Sequence, residues 1–79
     1  MINKWRQVKV DGWLVDHLMG LEDGGLFNQI EKNHSVEVEI LDDLPGVPFA
    51  VIVVSGEAHS SIYEACKEIQ RRVKALLGQ

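Results

Sequence analysis

A chain of 79 residues allows one domain, and a domain of that size buries only about 60% of the surface its unfolded chain exposes. Hydrophobic residues make up 46% and charged residues 25%, which excludes a disordered chain and is ordinary for a soluble globular domain. The net charge of −4 argues against a dedicated nucleic-acid binder, which carries a basic patch and often an overall basic excess.

The single cysteine, Cys66, cannot form an internal disulfide, so a reducing compartment is expected, cytoplasmic or nuclear. No segment resembles a signal peptide. The longest apolar run, Val47 to Val54, is interrupted by Pro48 and falls far short of the roughly 20 residues that cross a bilayer. Neither a membrane partner nor a small-molecule substrate is expected.

Lys4 to Val10 reads as a strand, with Arg6, Val8 and Val10 on one face and Trp5, Gln7 and Lys9 on the other. Asp11-Gly12 marks a turn. Trp13 to Met19 reads as a short helix with Leu14, Val15 and Leu18 inward, and Gly20 ends it. Leu21 to Gly24 is a loop. Gly25 to Asn33 reads as a second helix, with Leu26, Phe27 and Ile30 at spacings of three and four. Ser35 to Leu41 alternates, Val36, Val38 and Ile40 against Glu37 and Glu39, as a half-buried strand does. Residues 42–48 carry strong turn chemistry. Phe49 to Ser55 is apolar on both faces and is expected to be central in its sheet or covered on both sides, with Gly56 breaking it. The last helix runs from about Ser60 to Leu77. Ser61 and Glu64 fit a capping box, Ile62, Ala65, Cys66, Ile69, Val73 and Leu76 form its apolar stripe, and Gly78 stops it. The order is β-α-α-β-β-α, an α+β domain whose helices cover one face of a three-stranded sheet.

That order, and the residues within it, resemble a type I KH (K homology) domain. Such domains read approximately Ile-Gly-x-x-Gly-x-x-Ile-x-x-Ile, followed by a strand of alternating apolar residues. Here Gly24, Phe27 and Ile30 match the second loop glycine and two helix positions, and Val36 to Ile40 matches the strand. Val51 to Gly56 resembles the family's strand ending in glycine, and Ala65 and Ile69 match the final helix. The resemblance covers nearly the whole chain, most closely residues 21–73. It implies a type I KH fold: a three-stranded antiparallel sheet with three helices on one face. Residues 1–79 would then be a single KH-like domain of a larger RNA-associated protein.

The departure from the family falls on the RNA-gripping loop, which reads Leu21-Glu22-Asp23-Gly24 in place of Gly-x-x-Gly. The glycines let a nucleic-acid backbone approach closely while helix N–H groups face the phosphates, and such domains clamp four nucleotides. Leu21 obstructs that approach, and Glu22 and Asp23 repel phosphate. Segment 11–48 holds nine acidic residues against Lys32 alone, a local charge of −8, and in the family this segment forms the nucleic-acid groove. Phosphate binding draws on Lys and Arg, so ordinary KH clamping is expected to be lost.

Lys67, Arg71 and Lys74, with Arg72 nearby, form either a secondary nucleic-acid surface or a solvated face paired with Glu64 and Glu68. Trp5, Gln7 and Lys9 lie on the strand face away from Val8, and Trp5 with one row of the Phe49–Val54 strand forms either an exposed interface patch or a surface buried under the termini. KH relatives commonly dimerise through the first strand and last helix. Trp13 is expected in the core or at the groove's edge. His17, His34 and His59 lack metal-ligand spacing, Cys66 reads as an inert core residue, and Asp42-Asp43 has no convergent partner, so no metal, cofactor or catalytic role is expected. An enzyme such as an acyl phosphatase wants an anion-binding loop that the chain lacks. The expected function is a non-catalytic KH-like module that binds a protein partner, or itself as a homodimer, through the sheet face, first strand and last helix. The alternative is a single-stranded RNA or DNA binder using the basic last helix, with RNA binding through this domain weak.

Overall fold

In the computed structural model of the protein, residues 4–19, 25–41 and 45–78 are described. They form strand β1 (Lys4–Asp11), helix α1 (Gly12–Met19), helix α2 (Gly25–His34), strand β2 (Glu37–Leu41), strand β3 (Phe49–Gly56) and helix α3 (His59–Leu77). The result is an α+β domain with a three-stranded antiparallel sheet in the order β1-β3-β2.

Of the two positions expected for the apolar run, central in the sheet or covered on both sides, the structure shows the first. β3 pairs with β1 from Asp11↔Phe49 to Lys4↔Gly56, and with β2 from Leu41↔Val51 to Glu37↔Ser55. Successive strand side chains point to opposite faces. Ala50, Ile52 and Val54 therefore share one face with Val8 and Val10, and all five are buried. The three helices supply the rest of that core: Leu14, Val15 and Leu18 from α1, Leu26, Phe27 and Ile30 from α2, and Ile62, Ala65, Cys66 and Ile69 from α3. Val38, Ile40, Val73 and Leu76 pack at its margin. Burying a Leu or Ile side chain contributes roughly 1.5–3 kcal/mol, so this one-sided core is the main source of stability in so small a chain.

Three local details differ from the sequence reading. β2 begins at Glu37, two residues later than expected, because α2 ends in a left-handed turn. Ser35 has φ 55° and the Val36 N–H donates to the Glu31 carbonyl at 3.3 Å, the six-to-one bond of a Schellman motif. Gly56 does not break β3; it pairs with Lys4 as the last residue of the strand. A Cβ there would lie 3.3 Å from Val36 Cγ1 and 3.7 Å from Ile62 Cγ1, so close packing explains the glycine. Pro45-Gly46 is a turn as expected, with Gly46 at φ 76°.

The third difference concerns the start of α3. Ala58 is its N-cap, extended at φ −116° and ψ 129°, and makes no side-chain capping bond. The Ile62 N–H reaches the Ala58 carbonyl at 3.2 Å, so Ser61 is already inside the first turn and the capping box at Ser61–Glu64 does not form. Gly20, the expected end of α1, lies outside the described residues. The uncapped start of α3 yields a prediction. Ala58→Asp introduces an acceptor for the first-turn N–H groups and a charge matched to the helix dipole where the first turn has no acid. Urea denaturation is expected to show about 1 kcal/mol of added stability, and a midpoint unchanged or lowered would contradict the capping geometry.

Candidate interaction surfaces

The degenerate loop, Leu21, Glu22, Asp23 and Gly24, lies outside the described residues, as do Asp42 and Asp43. Its exit is described: Gly25 opens α2 with φ 79° and is buried, a conformation that L side chains rarely adopt.

The odd-numbered residues of the sheet face away from every helix core residue. The strand register gives rows of Trp5–Ser55–Glu37, Gln7–Val53–Glu39 and Lys9–Val51–Leu41, with Phe49 beside Asp11. Phe49, Val51 and Val53 are only half-buried, Leu41 is exposed, and Trp5 is 59% exposed. Trp5, Gln7 and Lys9 are therefore together on an open face, with aliphatic residues at its centre and Glu37 and Glu39 along its far margin. The Lys9 ammonium sits 4.5 Å from the Phe49 ring centre, a cation–π contact that holds it over this face. Trp13 is not in the core. It is 54% exposed and stacks edge-on against His17, ring centres 5.4 Å apart, because α1 turns Leu14, Val15 and Leu18 inward instead.

A second surface lies where α3 crosses the outer edge of β1. There a groove of about 510 Å³ runs along residues 7–10 of β1, with Val73 completing an aliphatic floor and Lys67, Arg71 and Lys74 along its α3 side. Three of the four basic residues singled out from the sequence thus share one groove; Arg72 is exposed but does not line it. The expected pairing of this face with Glu68 does not occur. Glu68 turns to α2, its Oε1 2.8 Å from His34 Nε2. Among the described residues Lys67, Arg71, Arg72 and Lys74 have no ion pair. Near the start of the groove, Tyr63 is held between Arg6 and Lys67, at 5.7 Å and 5.2 Å from its ring centre.

The opposite edge of the sheet has the opposite character. Glu31 of α2 reaches over β2, and its Oε2 accepts the Val38 N–H at 2.9 Å. β2 is an edge strand, so this carboxylate satisfies an outward backbone donor that is otherwise available for pairing. A cleft beside it, between the α2–β2 turn and the end of β3, is rimmed by Glu31, Glu37 and Glu57. The role of Glu31 escaped the sequence reading, since a glutamate on a helix surface carries no mark of the strand it will cover.

No protein-family model matches this chain, and no curated protein matches it.

The remaining chemistry is sparse. Among the described residues no three His, Cys, Asp or Glu side chains converge as metal ligands. Among them, too, no helix is long and apolar enough to cross a membrane. Cys66 is buried on the inner stripe of α3, and desolvation pushes its thiol pKa up, the Arg6 charge opposing this in part.

Two predictions come from these sites. The raised Cys66 pKa means the native state keeps its proton at a pH where the unfolded thiol has lost it. The native state then binds more protons, and stability falls as pH rises above about 8.5. Urea midpoints between pH 7 and 10 are expected to fall less steeply in Cys66→Ala than in the wild type; parallel slopes would contradict it. Glu31→Ala removes the acceptor from the Val38 N–H, and a destabilisation of about 1–3 kcal/mol is expected. Hydrogen exchange at Val38 should accelerate in that variant, and an unchanged rate would show that the bond does not protect the edge.

Proposed function

We propose that this chain is a non-catalytic KH-like interaction module of a larger RNA-associated, intracellular protein. It binds a protein partner, or a second copy of itself, through its open sheet face. The observation that carries this reading is the helix-free face itself: a largely exposed Trp5 beside half-buried Phe49, Val51 and Val53 and exposed Leu41. Large apolar residues grouped on a surface mark interaction sites, and aromatic side chains supply much of the binding energy at interface centres. The β-α-α-β-β-α order and the one-sided core support the KH-like part of the reading. The loss of phosphate clamping rests on the sequence of the loop, where Leu21, Glu22 and Asp23 replace glycine and neutral or basic residues.

Trp5→Glu tests it. The residue is exposed, so the fold should tolerate the change to within about 0.5 kcal/mol. Light scattering of the wild type should show a dimer that the variant loses, or the wild type should capture a partner that the variant does not. A monomeric wild type that captures nothing would overturn the reading.

A second reading has its own observation behind it. Lys67, Arg71 and Lys74 share one groove without an ion pair, which suits single-stranded RNA. Replacing all three with alanine should abolish any RNA binding, and a wild type that binds no RNA even at low salt removes this reading.

A further inference from the structure

The two edges of the sheet are unlike, and the difference points to an occupant. At β2 the Glu31 carboxylate already holds the outward Val38 N–H, and Glu37 and Glu39 add charge along the strand. At β1 the outer row of backbone groups borders a groove, and among the described residues no side chain bonds to it. An unsealed edge strand is a template for one more strand. We propose that the groove between β1 and α3 takes an extended acidic peptide segment of another protein, added as a fourth strand beside β1. The proposal rests on the chain being an interaction module and assigns an occupant to the edge of the first strand beside the last helix, a site that shares Gln7 and Lys9 with the sheet face.

The chemistry of the groove selects the occupant. Val8, Val10 and Val73 make its floor, and Lys67, Arg71 and Lys74 stand along its helix side with no carboxylate in the lining among the described residues. Glu68, one turn from Arg71, is occupied by His34. Lys67 to Lys74 spans about 10 Å of helix at 1.5 Å per residue. Acidic side chains at alternate strand positions are about 6.7 Å apart, so two or three of them cover the same length on the side facing α3. Strand addition supplies main-chain bonds, and the facing side chains supply selectivity.

A second copy fits less well. A symmetric β1-to-β1 contact apposes two basic rims, and like charges across an interface are costly. Adding the β2 edge of another copy meets the Glu31 seal. Single-stranded RNA also fits less well. Among the described residues no aromatic side chain lines the groove to stack on bases, and Tyr63 nearby is held between Arg6 and Lys67.

The test is an NMR titration of the isotope-labelled full chain with a blocked Glu-Val-Glu-Val-Glu-Val peptide at low salt. Amide shifts are expected along residues 7–10 of β1 and 67–74 of α3, weakening as salt is raised. Charge reversal by K67E, R71E and K74E together should weaken binding at least tenfold, while Trp5→Glu, at a residue that does not line the groove, should weaken it less than about threefold, separating this site from the sheet face. Two N-methylated peptides, one for each alternate set of amides, separate strand addition from simple charge attraction: one should lose binding and the other keep it. The proposal is overturned if the peptide does not bind, or if both N-methylated forms bind equally well. It is also overturned if oligouridylate binds the groove more tightly than the peptide, or if the free chain shows concentration-dependent amide shifts along residues 7–10 and 67–74, the sign of a second copy at the β1 edge.

Discussion

A central strand has its backbone satisfied on both sides, while its side chains meet two different environments. β3 is in that position, and the rest of the domain is arranged around it. Its even-numbered residues, Ala50, Ile52 and Val54, have no exposed surface and meet all three helices through one core. Its odd-numbered residues, Phe49, Val51 and Val53, are as apolar in type, yet no helix covers them. A strand with only one buried face needs only one apolar row, because the other can be polar at no cost to folding. The second row thus contributes little to holding the helices and makes sense as a surface.

The same strand separates charge. Segment 11–48 carries −8 within a total of −4, so the remainder of the chain carries +4. With β3 in the middle, these blocks fall on opposite edges: Glu31, Glu37 and Glu39 at β2, and Lys67, Arg71 and Lys74 beside β1. Charges more than about 8 Å apart in solvent are largely screened at physiological salt. A partner therefore meets the local charge of one edge rather than the net charge of the molecule. This tempers what the overall acidity implies, since an acidic chain can still present a basic groove.

What the sequence made legible followed its periodicities. The alternation of Val8 and Val10, the helical stripe from Ile62 to Ile69 and the two-faced run at 49–54 each located an element and its buried side. Burial is set by repeats of two or of three and four residues, which single residues cannot disguise. The misses were decided by tertiary contacts. Ser35 takes a left-handed turn because Val36 must enter the core, although serine is no signal for it. Glu68 leaves its own helix for His34, although Arg72 stands four residues on. Ser61 resembles a cap in sequence, but the chain enters the helix earlier, at Ala58. Of the two places expected for Trp13, core or groove edge, the core is excluded, because α1 has only eight residues and Leu14, Val15 and Leu18 already fill the stripe it can bury.

The open face and the basic groove are not independent, because both use β1. Gln7 and Lys9 line the groove at the edge of the strand and also belong to the odd-numbered row with Trp5. A strand added beside β1 would turn every second side chain toward that row and so widen the open face by one strand. If those side chains are apolar, the apolar patch around Trp5 grows, and a partner seated on it gains area only when the groove is filled. If both proposed sites are filled, any coupling through the shared strand must run equally in both directions. The Lys9–Phe49 contact is where the two would first meet, since Lys9 lines the groove while its ammonium rests on the open face.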